Sequence, residues 1–124
     1  MRRLSYFILS SAVVLLTVAS ISSCNKDQTP LAVPDQCADT ISFVGIVEPM
    51  IQANCSTSGC HNAATSSAGY NLEGHGNISA NGIAILNVIR HESGFAPMPF
   101  GQAKLNDSII NQFDCWVIQG KLNN

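Results

Sequence analysis

Charge is scarce in this chain, and positive charge is scarcest. Only 11% of its 124 residues are charged, with six Lys and Arg against eight Asp and Glu. No basic stripe occurs, which excludes the electrostatic footprint that nucleic-acid binding requires. Four closely spaced thiolates for an iron–sulfur cluster are lacking, and no second short-range cysteine pair completes a structural zinc site. No Ser/His/Asp set, phosphate-cradling glycine loop or paired carboxylates stand out, so hydrolysis and phosphoryl transfer have no visible machinery. Strand-like alternation is weak throughout.

Long apolar runs are missing too. After Arg2 and Arg3, the run Phe7, Ile8, Leu9, Val13, Val14, Leu15, Leu16 and Val18 is broken by serines and too short for a bilayer span. It reads as the core of a signal peptide. Its end, Ile21-Ser22-Ser23-Cys24, resembles a bacterial lipoprotein cleavage site. That resemblance implies that residues 1–23 are a lipoprotein signal peptide and that Cys24 becomes the lipidated N-terminus. It places the mature chain in the bacterial cell envelope, lipid-anchored to a membrane and facing the periplasm or cell exterior. An ordinary secretory signal and an uncleaved anchor are the alternatives. Residues 24–36, with Pro30 and Pro34, read as a flexible tether, and residues 37–124 as one small domain. After cleavage four bases (Lys26, Arg90, Lys104, Lys121) face eight acids, a formal charge of −4. A domain this small buries only about 60% of its unfolded surface and profits from a staple.

What is present is concentrated in one stretch. Cys55, four intervening residues, Cys60 and then His61 give C-x-x-x-x-C-H. The common covalent haem c signal is C-x-x-C-H, in which the two thiols bond the macrocycle and the adjoining histidine ligates its iron. The spacing here is two residues longer, so Ser56–Gly59 must bulge outward for both sulfurs to reach one porphyrin edge. Gly59 can adopt the unusual dihedral such a bulge needs. Of five cysteines, Cys24 is assigned to lipid, and if Cys55 and Cys60 take haem, Cys37 and Cys115 remain. A disulfide between them closes a loop of roughly 80 residues and contributes about 4 kcal/mol in the chain-entropy model. Two other pairings exist, including a two-disulfide domain with Cys55 bridged to Cys60.

The domain reads as three helical pieces joined by long loops. Phe43, Ile46, Val47, Met50 and Ile51 share one helical face, and Pro49 limits a regular helix to a start near Ile46. Residues 79–90 carry Ile83, Ile85, Leu86 and Ile89, with Asn81 a possible cap. The third piece is the clearest: Asn106 or Asp107 caps a stripe of Ile109, Ile110, Phe113, Trp116 and Val117, ended by Gly120. Loops 62–77 and 92–104 are rich in Gly, Ser, Asn and Pro, as suits segments wrapped round a ligand. Within the second, Met98 stands between Pro97 and Pro99, a soft thioether on a stiff segment that suits haem iron.

The order helix, C-x-x-x-x-C-H, loop, helix, Met-Pro, terminal helix with Trp116 and Gly120 resembles a monohaem class I c-type cytochrome domain. It is most similar to the small lipid-anchored variant with this attachment motif. The ending Lys104-Leu105-Asn106-Asp107…Ile110…Trp116-Val117…Gly120…Asn123-Asn124 is similar to the closing pattern of that group. The likeness covers about residues 41–124. It implies a mostly α, cytochrome c-like fold with thioether bonds at Cys55 and Cys60. It further implies proximal ligation by His61, distal ligation by Met98, and Trp116 packed near the face from Ile46 to Ile51. The implied function is electron transfer through one covalent haem c to redox partner proteins, with no enzymatic activity, because both axial positions are filled.

Three alternatives stand beside this. His75 or His91 could replace Met98 as the sixth ligand. A small metal-binding module could use Cys55, Cys60 and one of those histidines. A haem-free structural lipoprotein stapled by disulfides would need no cofactor.

Overall fold

The computed structural model describes residues 34–124. The signal segment 1–23, Cys24 and the tether as far as residue 33 lie outside the described residues. The described part is helical, with no strand among its residues. A short 3-10 turn, Asp35–Cys37, ends the segment read as tether and leads into the domain. Four α-helices follow: α1 (Glu48–Asn54), α2 (Gly74–Ala80), α3 (Gly82–Ile89) and α4 (Asp107–Ile118).

The first helix is entered through a wide π-helical turn, Phe43–Val47, three residues earlier than the expected start near Ile46. Pro49 gives the physical reason. Its ring crowds the carbonyl four residues back, that of Gly45, so the turn above it widens and regular helix begins only at Glu48. Ser42 caps the turn, its hydroxyl accepting from the Gly45 N–H at 3.1 Å. Phe43, Val47 and Ile51 all point inward and are buried.

The second expected piece is two helices. Asn81 separates α2 from α3 and makes no capping bond; its amide instead donates to the Asn77 carbonyl at 2.8 Å. Residues 74–77, expected in a loop, open α2. That helix carries Gly74 and Gly76 and buries only Ile78, so it lacks an apolar stripe and depends on tertiary support. Ile85, Leu86 and Ile89 of α3 are buried, whereas Ile83 faces solvent.

Helix α4 has both expected ends. Asn106 accepts from the Ser108 N–H at 2.8 Å. At the far end the Lys121 N–H donates to the Trp116 carbonyl and the Gly120 N–H to that of Val117, with Gly120 at φ 90°. This is a Schellman closure, which needs a left-handed residue and therefore favours glycine. Ile110, Phe113, Cys115 and Trp116 turn into the core.

Trp116 is the centre of the packing, 0% exposed. Its ring lies 5.8 Å from Phe43 and 5.5 Å from Phe113, and its indole N–H donates to the Leu122 carbonyl at 2.9 Å. The terminal helix thus packs on the turn that starts the first helix, next to the face on which Trp116 was expected. Cys37 and Cys115 are joined by a disulfide across 78 residues of sequence. Gln119 ties the same end down, donating to the carbonyls of Cys37 and Asp39 and accepting from the Ile41 N–H. The side chain and backbone carbonyls of Asn124 accept from the Phe43 and Val44 N–H groups. No helix among the described residues is long and apolar enough to cross a membrane.

Candidate cofactor site

Residues 55–61 leave α1 as a compact loop. Cys55 sits at the helix end, its N–H donating to Ile51 at 2.8 Å. The chain then turns outward through Thr57–Cys60, closed by the Cys60 N–H to the Thr57 carbonyl at 3.0 Å, with Gly59 at φ 81°. The third residue of such a turn needs a positive φ, and glycine meets that need without strain. The His61 N–H returns to the Cys55 carbonyl at 3.1 Å, so the four intervening residues form an outward bulge whose ends meet. Ser56 pins the loop to the opposite wall, its hydroxyl donating to the Leu72 carbonyl at 2.8 Å.

Cys55, Cys60, His61 and Met98 line one cavity of about 410 Å³. That volume is in the range of ligand sites, about 300–1,000 Å³. Much of its wall is apolar, formed by Leu72, Ile85, Val88, Ile89, Pro99 and Phe100. His61, Leu72, Ile85, Val88 and Met98 also line a second space of about 260 Å³, completed by Tyr70, Phe95 and Ala96. The two thiols differ. Cys60 is exposed; Cys55 is buried, and neither is in a disulfide. Burial, with a smaller contribution from the neighbouring Cys60, pushes the Cys55 thiol up to about 11.

The His61 ring is oriented by the backbone. Its Nδ1 lies 3.2 Å from the Tyr70 carbonyl oxygen. A carbonyl only accepts, so in the neutral ring the proton is on Nδ1 and the Nε2 lone pair is free for a metal. The Leu72 N–H donates to the His61 carbonyl at 2.8 Å and the Ser67 N–H to that of Cys60 at 3.1 Å, which draws segment 67–72 over the motif. Ser66 and Ala68 in that crossing have φ of 44° and 52°, costly for residues other than glycine.

The other two histidines are elsewhere. His75 Nε2 donates to the Lys121 carbonyl at 2.8 Å, and its ring stands edge-on to Phe43 and Trp116. His91 Nε2 donates to the Met98 carbonyl at 3.1 Å. Neither lines the two spaces described above. Among the described residues, no three of His, Cys, Asp and Glu gather as a protein-only metal site would need.

The sequence marked the four donors but not what orients them. The Tyr70 carbonyl, the Ser56–Leu72 bond and the wall residue Val88 carry no motif. A partial signal existed in α3, where Ile85, Val88 and Ile89 stand three and four residues apart on one face.

No protein-family model, curated protein or solved structure matches this chain.

Proposed function

We propose that this protein is an electron carrier, a monohaem class I c-type cytochrome held to a bacterial envelope membrane by lipid on Cys24. One observation carries the reading: Cys55, Cys60, His61 and Met98, up to 43 positions apart, line a single largely apolar cavity. The donor chemistry suits a haem iron. Imidazole and thioether are the soft axial pair of c-type cytochromes, and two thiols stand on the same cavity.

In this reading Cys55 and Cys60 would hold the macrocycle through thioether bonds, and His61 and Met98 would ligate its iron. Bound haem supplies a one-electron iron couple. Every other contribution is the chain's own. The Tyr70 carbonyl fixes the His61 tautomer and the orientation of its ring. Leu72, Ile85, Val88 and Ile89 would keep water from bound haem and so influence its potential, which ligands to the iron shift over about 0.8 V. With His61 and Met98 both engaged on the iron, no position would remain open for substrate, so the role would be transfer of electrons rather than catalysis. An acidic mature chain favours redox partners with a basic docking face.

The test is covalent attachment. The full chain, expressed in a host competent in haem c maturation, keeps haem colour on a denaturing gel, and Cys55→Ala with Cys60→Ala abolishes it. A colourless wild-type product from that host would favour a haem-free structural lipoprotein stapled by Cys37–Cys115. Cys24→Ala is expected to release the protein from the detergent phase to the aqueous phase.

A further inference from the structure

We propose that His91 is a positioning residue for Met98: its imidazole fixes the segment that presents the thioether. The inference rests on the electron-carrier reading above. Helix α3 ends with the His91 N–H donating to the Val88 carbonyl at 3.3 Å and the Glu92 N–H to that of Asn87 at 3.0 Å. This pairing requires a left-handed residue at position 91, and His91 has φ 59°. Glycine is the usual occupant, and any side chain there is strained. The helix cap gains nothing from an imidazole. The Met98 segment does.

His91 Nε2 donates to the Met98 carbonyl at 3.1 Å, while the Met98 N–H donates to Val88 at 3.0 Å. Both backbone groups of Met98 therefore end on the last turn of α3, one on a carbonyl and one on the capping side chain. Between these anchors the segment carries one turn bond, Phe95 N–H to Glu92 at 3.2 Å, and Phe95, Ala96 and Pro97 are exposed. Removing the imidazole leaves the Met98 carbonyl without its partner and the segment held by one anchor fewer. Val88 and Met98 both line the cavity, so the anchor and the residue it holds border the same space.

Two substitutions separate the backbone from the side chain. His91→Gly suits the left-handed φ and deletes the donor; His91→Gln keeps an N–H donor of similar reach. The full chain, matured with haem, is titrated with free imidazole as a competitor for the sixth position, and hydrogen exchange is measured at the Met98 amide. His91→Gly is expected to melt no lower than wild type, yet bind imidazole about tenfold more tightly and exchange the Met98 amide about tenfold faster. Tenfold corresponds to the loss of one hydrogen bond of about 1.4 kcal/mol. His91→Gln is expected to restore both. A haem-bearing His91→Gly chain indistinguishable from wild type in both readouts overturns the positioning role and leaves the carrier reading intact. A wild-type chain without covalent haem overturns the carrier reading, and the ligand role of Met98 with it.

Discussion

Where Phe43, Phe113 and Trp116 meet, the rings are buried, a disulfide crosses the layer, and Gln119 and Asn124 occupy the loose backbone groups around it. The cavity end is built differently. There Phe95 and Phe100 line the spaces yet stay exposed, Phe100 at 80%, Ser66 and Ala68 hold left-handed backbone, and two spaces remain between α3 and the loops. The contrast divides the labour. One end is closed by side chains and a covalent staple; the other spends backbone strain and apolar surface on an opening lined by chosen donors. A domain of this size buries only about 60% of its unfolded surface, and under the proposed function a bound macrocycle would supply the missing wall.

Breaking the packed end should have the largest effect. Trp116→Ala removes a fully buried ring and its bond to Leu122, and is expected to cost about 4 kcal/mol in denaturant unfolding. Removing the disulfide through Cys37→Ser with Cys115→Ser should cost nearly as much, about 4 kcal/mol, because the bond closes 78 residues. Thermal melts with and without reductant would read the same loss in the wild type.

The cavity end answers to pH instead. The Cys55 thiol is raised from about 9 to about 11 in the fold, so the folded state resists its ionisation. That contribution to stability is whole below pH 9 and is lost as pH rises towards 11, where the unfolded chain ionises first. The loss approaches about 3 kcal/mol for the free thiol. Cys55→Ser should flatten the dependence, and thioether formation should abolish it, since a thioether has no proton to lose. The smallest effect on folding is expected for Met98→Ala. It shortens a half-buried side chain on the cavity wall, costs about 1 kcal/mol in unfolding, and under the proposed function would free the sixth ligand position.

The same contrast explains what the sequence made legible. Helix α4 could be read outright, because Asn106, the stripe from Ile109 to Val117 and Gly120 are local signals in agreement. Helix α2 could not. Two glycines and a single buried isoleucine give no period, and its support comes from His75 reaching Lys121, 46 residues away. The π turn before α1 hides behind Pro49, whose effect on the upstream carbonyl has no periodic signature. At the site, the residue types Cys55, Cys60, His61 and Met98 were visible as a motif and a proline-flanked methionine. Their convergence was implied by the resemblance alone and had no local signal, since it rests on contacts such as Ser56 with Leu72, Tyr70 with His61 and His91 with Met98. Such contacts are set by the path of loops, which spacing does not encode.

The central claim is most directly tested by a pyridine haemochrome spectrum of the full chain, expressed with its signal segment in a host that attaches haem c. Both vinyl groups saturated by sulfur, in one haem per chain, is the predicted result. A spectrum with no haem, or one with both vinyl groups unreacted, would contradict it.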